Sequence, residues 1–379
     1  MNESADVIVV GLGAMGSAVL CQLARRGLSA IGIDRFDPPH PHGSSHGESR
    51  ITRVSISEGA RYTPFVRRSH ELWRELEALT GRRLLEQVGA LFIAPADGRV
   101  WSHGNDFVRE AIRIAQEQGI AHERLDEQQI AGRFPQFRIT EKLVGYFEPG
   151  GGFVRPEECI AAQLDLARRN GAQTATDTEV VDLIEETAGV RIATTSGDFH
   201  AKQVVLAAGA WLPKLAGKRY RNLTVQRQVQ FWFRVSDPSL WRGGPIFIWT
   251  TGTRAEDLFY GFPMASTELR IKVASEHDGD PADPDAVTPV TEAEKRRVYE
   301  THIAPRLNGV TAECVDAATC LYTNAPGYQF VIEPHPSIAS VTVVSACSGH
   351  GFKHSAGLGE AIAQYLTGER PALPLAHAT

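Results

Sequence analysis

The sequence predicts an α/β protein in which a Rossmann-like nucleotide-binding domain is interleaved with a mainly antiparallel β-sheet domain. Three observations carry that reading. The chain opens as strand, glycine turn, helix, strand. A second apolar strand at residues 204–207 turns at Gly209 into a short helix. The stretch between about residues 221 and 275 instead alternates polar and apolar positions.

Each element has its own signal. Val7, Ile8, Val9 and Val10 are an apolar, β-branched run of the kind that suits a strand buried on both faces. GLGAMG follows. Met15, Val19, Leu20 and Leu23 then share one helical face, and Arg25, Arg26 and Gly27 mark that helix's end. SAIGID is the next strand and closes on Asp34. In VRPEECIAAQLDLARRNG, Pro156, Glu157 and Glu158 open a helix, and Arg168, Arg169 and Gly171 close it. LTVQRQVQFWFRV, PIFIWT, DLFYGFP and ELRIKVASEH read as strands of the antiparallel sheet. Thr291 and Glu294 form a capping box for a helix running towards His302. The end of the chain returns to α/β character: SVTVVSA is a strand, SGHGFK a glycine-rich turn, and residues 355–366 a helix.

Composition narrows the function. With 379 residues, 42% hydrophobic and 22% charged, the chain is long enough for about two globular domains. A net charge of −6 gives no electrostatic case for nucleic acid or an anionic membrane, so any anionic substrate must be captured by local cations. The five cysteines (Cys21, Cys159, Cys314, Cys320 and Cys347) are scattered and lack metal-ligand spacing. A reducing cytoplasm is expected, with no disulfide framework and no metal site. Glu3 and Asp6 stand where a secretion signal would be basic. The apolar stretch at residues 7–20 is interrupted by glycines and too short to span a bilayer. HDGDPADPD, residues 277–285, superficially suggests a calcium loop but lacks the regular oxygen-ligand spacing, and reads as a solvated acidic turn.

Gly11, Gly13 and Gly16 form G-x-G-x-x-G between a strand and a helix. The first glycine permits the tight turn, the second lets the backbone approach a pyrophosphate, and the third lets helix pack on strand. The helix N-terminus faces the phosphates. Asp34, at the end of the second strand, can accept hydrogen bonds from ribose hydroxyls. This pattern does not separate NAD from FAD; Asp34 argues only against a 2′-phosphate.

Three further segments add to it: GSSHGESRITR at 43–53, CLYTNAP at 320–326 and SGHGFK at 348–353. With GLGAMG and FYGFP, and in the same order along the chain, they resemble the monomeric sarcosine oxidase and N-methyl-L-tryptophan oxidase family, whose members are FAD-dependent amine oxidases. The resemblance implies an FAD-binding domain at residues 1–84, 149–220 and 325–379, and a substrate domain at 85–148 and 221–324. It implies FAD attached through a thioether to Cys320, with Cys314 as the decoy six positions earlier. Gly11, Gly13, Gly16, Asp34, Ser44, Gly349, Gly351 and Lys353 would border the cofactor, and His46 and Arg50 would flank its ring. Arg53 and Lys353 would hold a substrate carboxylate, while Tyr260 and Tyr322 line the cavity. Lys272 would promote reaction with oxygen through a water molecule. The partners implied are a small amino acid and oxygen, and the product is hydrogen peroxide. A monomer is expected.

Residue chemistry fits these roles: arginine's planar fork suits a carboxylate, and a fixed cation stabilises developing negative charge. Simpler readings stand beside them. Cys320 as a small core residue, a surface pair of Glu48 with Arg50 or Arg53, a solvated Lys353, and core tyrosines are all ordinary. Arg270 shares a strand face with Lys272 and competes for its role. One departure from sarcosine oxidase concerns the substrate. Where a pocket histidine follows the lysine at the fourth position, this chain has Glu276, with His277 after it. Alternatives kept open are an oxidase of primary amino acids or of non-carboxylate amines, an NAD-dependent dehydrogenase, and a non-catalytic flavin-binding redox protein.

Overall fold

The computed structural model describes residues 3–98, 107–276, 281–373 and 375; His277 lies outside them. Strand Ser4–Val10 is the centre of the first sheet. Ala30–Ile33 and Gly197–Leu206 pair with it in parallel, and Gln173–Ala175 and Val341–Ser345 extend the parallel set on either side. Val7, Ile8, Val9 and Val10 are all buried, which is why the second half of this strand is apolar at every position, while Ser4 and Asp6 stand in its less buried first half. One face of the sheet packs under helices Ala14–Arg25, Pro156–Arg169 and Ser355–Leu366. On the other face Ile8, Val10, Ile31 and Leu206 meet Leu212, Tyr220 and Leu223. Strand Gly197–Leu206 has two partners along one edge: its first half pairs antiparallel with Gly189–Thr194 and its second half pairs parallel with Val341–Ser345.

The second sheet runs in the order Val310–Asn324, Thr224–Val235, Arg270–Ser275, Leu258–Gly261, Ile246–Thr250, Ala90–Pro95, Leu143–Glu148, Glu123–Asp126. Its pairings are antiparallel except Ile246–Thr250 with Ala90–Pro95, which is parallel. Phe231, Phe233, Phe247, Trp249 and Phe259 form an aromatic core on one face. A small third sheet of Arg50–Thr52, Gly152–Val154 and Leu85–Glu86 stands beside the other two.

Several elements go beyond the pattern in the sequence. Helix Thr63–Thr80 buries Phe65, Val66, Leu72, Trp73 and Leu76, and ends on left-handed Gly81. The helix capped by Thr291 covers Glu292–Val298 and continues through a π-turn, Tyr299–Ile303. CLYTN proves to be the end of a fifteen-residue strand, Val310–Asn324. In the described part of the acidic turn the carboxylates stay exposed but are ion-paired: Asp283 accepts from Lys214, and Asp285 accepts from Lys214, Arg35 and the Trp211 indole. Among the described residues no helix is long and apolar enough to cross a membrane, and no group of His, Cys, Asp and Glu could hold a metal.

Candidate active site

Two cavities meet where the two large sheets approach each other. The first is lined by Gly11, Gly13, Asp34, Ser44, Cys347, Gly349 and Gly351. Its floor is the turn after strand Ser4–Val10. A Cβ on Gly16 would lie 1.7 Å from the Gly11 carbonyl oxygen, so only glycine lets the helix begin so close to the strand. A Cβ on Gly13 would meet nothing nearer than Ser45 Oγ at 3.9 Å, so the space above Gly13 is open to a ligand. Asp34 Oδ2 accepts from the Leu12 N–H at 2.6 Å and Oδ1 from the Phe36 N–H at 2.9 Å, which fixes its carboxylate at the cavity wall. A glycine cradle at a helix N-terminus beside a fixed carboxylate fits a dinucleotide.

The second cavity shares Arg50, Tyr322, Gly349 and Phe352 with the first, so the two are contiguous. One wall is a face of the second sheet. Tyr260 stands opposite Ile248 on one side and Ala274 on the other, and period-two alternation puts Lys272 and Glu276 on the face of Ala274. Tyr260 and Tyr322 place their hydroxyl oxygens 3.4 Å apart. Burial pushes the Tyr260 phenol up to about 12, so it stays a neutral hydroxyl. Phe107, Leu258 and Phe262 supply apolar surface.

Lys272 is 4% exposed, and its Nζ donates to Gly47 O at 2.7 Å, Ser49 O at 2.6 Å and Gln230 Oε1 at 3.2 Å. Burial, then Arg50, pushes its pKa well down. Three acceptors nevertheless match the three N–H groups of an ammonium. Arg270 lines neither cavity; Glu48, Glu268 and Asp316 surround it. Cys320 lines the second cavity. Burial pushes its thiol pKa up, while Arg50 and Lys272 pull it back. Cys314 lies beyond a register irregularity in the same strand, donates to Asp316 O, and reaches neither cavity.

The segment from Gly43 to Arg53 supplies the cations. Ser44 donates to Leu321 O; Arg50 donates to Ser44 O at 2.7 Å and to Gln230 Oε1 at 3.2 Å, and lines both cavities. Glu157, in the first turn of its helix, accepts from the N–H groups of Gly47 and Glu48. Glu48 pairs with neither Arg50 nor Arg53. Its carboxylate goes to Arg270 and to the Trp232 indole. Arg53 is 3% exposed, sits over the rings of Phe92 and Phe107, and pairs with Glu58. Lys353 donates to His350 O at 2.7 Å and lies 4.0 Å from the same Glu58. Arg53, Glu58 and Lys353 all line the second cavity. Glu58 was not a candidate from sequence; an acid five positions after Arg53 was the available signal.

His46 lines neither cavity. Burial, reinforced by Arg50 and Lys272, pushes it down to about 3, so its imidazole is neutral and brings no charge. Gly349 adopts φ +74, and a Cβ there would crowd the Tyr322 ring at 3.0 Å; on Gly351 it would strike Ala346 O at 1.7 Å.

The whole length of this arrangement has known counterparts. The family described as FAD dependent oxidoreductase matches residues 6–365. Monomeric sarcosine oxidase from Streptomyces avermitilis is 35% identical over 374 residues, 97% of this chain and 95% of that protein. N-methyl-L-tryptophan oxidase from Salmonella arizonae is 32% identical over 381 residues, 98% of this chain and 96% of that protein. Among solved structures, NikD, an amino acid oxidase essential for nikkomycin biosynthesis, superposes with a TM-score of 0.86 at 24% identity, covering 100% of both chains. L-proline dehydrogenase from P. horikoshii does so with a TM-score of 0.81 at 21% identity, covering 99% of this chain and 96% of that one. These two share the fold. The open cradle at Gly13, fixed Asp34 and the contiguous second cavity fit FAD. The chain belongs to the FAD dependent oxidoreductase family, in the group of the monomeric sarcosine oxidases and N-methyl-L-tryptophan oxidases.

Proposed function

We propose that this protein oxidises the C–N bond of a secondary amino acid, N-methyl or cyclic, with oxygen as electron acceptor. The observation that carries this is the pair of buried cations, Arg53 and Lys353, in a cavity contiguous with the dinucleotide site. Arg53 and Lys353 hold the substrate carboxylate. Phe107, Leu258 and Phe262 exclude water around the bound amine. When bound, FAD supplies the two-electron acceptor for the substrate C–H and passes the electrons to oxygen, giving hydrogen peroxide. The substrate becomes an imine, and water converts it to an aldehyde and a primary amine, or a cyclic imine is released. Lys272 holds positive charge at the cavity wall, where reaction with oxygen develops negative charge.

Cys320 would carry the cofactor covalently. Its thiol lines the second cavity and would hold the ring end of the cofactor there as a thioether. Residues Gly11, Gly13, Gly16, Asp34, Ser44, Gly349 and Gly351 hold the rest of FAD. The protein acts as a monomer in the cytoplasm, in line with the monomeric sarcosine oxidases it is similar to and its five free cysteines. A peroxide assay over N-methyl, cyclic and primary amino acids, each with its amide, tests the reading. Turnover of secondary acids over their amides is expected. Equal use of amides overturns the carboxylate clamp, and preference for primary acids overturns the substrate class.

A further inference from the structure

The second cavity carries opposite charges in different places. Arg53 and Lys353 gather around Glu58, with Lys353 fixed on His350 O. Glu276 lines the same cavity from a different element, just beyond strand Arg270–Ser275. Its own N–H donates to Leu258 O at 3.0 Å, which continues the sheet pairing and fixes the backbone that aims its side chain. Lys272, Ala274 and Glu276 follow one another on one strand face, and Ala274 contributes only a methyl group between the two charges. Tyr260 and Tyr322 line the cavity with Glu276. Burial is the main cause of the raised Tyr260 and Tyr322 phenols, and the Glu276 carboxylate adds to both. Around it, Ile248, Leu258 and Phe262 are apolar. In such a wall a carboxylate discriminates strongly: it favours a ligand that brings a cation and disfavours one that brings an anion or only hydrocarbon.

We propose that Glu276 is a specificity-determining residue that gives the cavity a second, anionic subsite, and that the favoured secondary amino acid carries a further cationic nitrogen, an ammonium or guanidinium, distal to its carboxylate. This rests on the reading of Arg53 and Lys353 as the carboxylate clamp. It divides the cavity into two recognition ends, with the reacting C–N bond between them. Acidic side chains are excluded at the same position by like charge.

Binding tests this separately from turnover. Unreactive ω-aminoalkanoates of four to six carbons are titrated calorimetrically into the holoenzyme against the corresponding alkanoates. At one length the ammonium compound should bind about tenfold to a hundredfold tighter, the range of a charge-assisted hydrogen bond. Glu276→Gln, of the same shape, should abolish that preference while leaving alkanoate affinity within about twofold. Glu276→Lys should reverse it towards dicarboxylates. Absence of an ammonium preference at every length, or its persistence in Glu276→Gln, overturns the proposal. Turnover of α-N-methyl-lysine against α-N-methyl-norleucine then adds a second arm. If neither is oxidised but the binding preference stands, the proposed oxidation is at fault and the subsite is not. If Glu276→Gln slows both substrates equally, Glu276 serves the common amine and is not a selector of side chains.

Discussion

Arg53 Nη2 lies 2.6 Å from Glu58 Oε2, and the other oxygen of that carboxylate lies 4.0 Å from Lys353 Nζ. The two cations proposed to hold a substrate carboxylate therefore already share an internal counter-ion. Arg53 and Lys353 hold Glu58 well below the usual carboxylate range despite burial, so it stays ionised. An incoming carboxylate competes with Glu58 or adds to it.

That relationship predicts a pH dependence of anion binding. Burial pushes Lys353 down to about 7; Glu58 holds it up, and Arg53 lowers it further. A carboxylate ligand needs the ammonium form. Acetate affinity for the holoenzyme should be full below about pH 7 and fall as pH rises through that value, towards what Arg53 alone supports. Glu58→Gln removes the group that favours the ammonium, so the fall should move to lower pH. Calorimetric titration of acetate from about pH 6 to about pH 9 checks both, and a flat profile for the wild type counts against Lys353 as a ligand.

Arg53→Met should raise the substrate concentration required by about tenfold to a hundredfold, the value of one or two charge-assisted hydrogen bonds. Lys353→Met should lose less, because an ammonium lacks the fork geometry. The amide of the same substrate should be poor for the wild type and nearly indifferent to Arg53→Met. The measurement is kcat/KM for acid and amide with each enzyme, as a double-mutant cycle. Additive losses, with no coupling between carboxylate and Arg53, would falsify the clamp.

Wild-type protein should stay yellow after acid precipitation, and Cys320→Ser should release all of its flavin. Cys347 also lines the dinucleotide cavity, so Cys347→Ser is the control and should keep the colour. A colourless wild-type pellet whose intact mass is that of apoprotein rules out the covalent link.

Lys272→Met should slow reoxidation of the reduced enzyme by oxygen at least about tenfold, while slowing reduction by substrate much less. Arg270→Met should change neither half-reaction, since its guanidinium is occupied by carboxylates outside the cavity. Stopped-flow traces of the two half-reactions separate the outcomes; comparable slowing of both by Lys272→Met would assign it to substrate positioning instead.

What was legible in the sequence follows from the range of each signal. Gly11, Gly13, Gly16 and Asp34 belong to one local unit, and strand parity with period two puts Lys272, Ala274 and Glu276 on one face. Glu58 was not legible because it sits in an irregular segment, and its meaning comes from Lys353, which folding brings to it from 295 positions away (353 − 58). Glu48 gave a false local signal: its neighbours Arg50 and Arg53 are near in sequence, but Arg270 and Trp232 arrive from the other sheet. Strand Val310–Asn324 was hidden by its first half, where exposed Glu313 and Asp316 break the apolar alternation.

The three hydrogen bonds of Lys272 have a mechanical consequence as well. Between Gly43 and Arg53 the chain forms only a three-residue strand, so the segment has almost no ladder of its own to stiffen it. Its carbonyls at Gly47 and Ser49 are tied instead to an ammonium more than two hundred positions along the chain. The segment cannot open without breaking contacts to strand Arg270–Ser275. In amide hydrogen exchange, residues 47–50 should therefore share the opening free energy of that strand rather than exchange like a loop, as one cooperative unit assembled from two distant parts of the sequence.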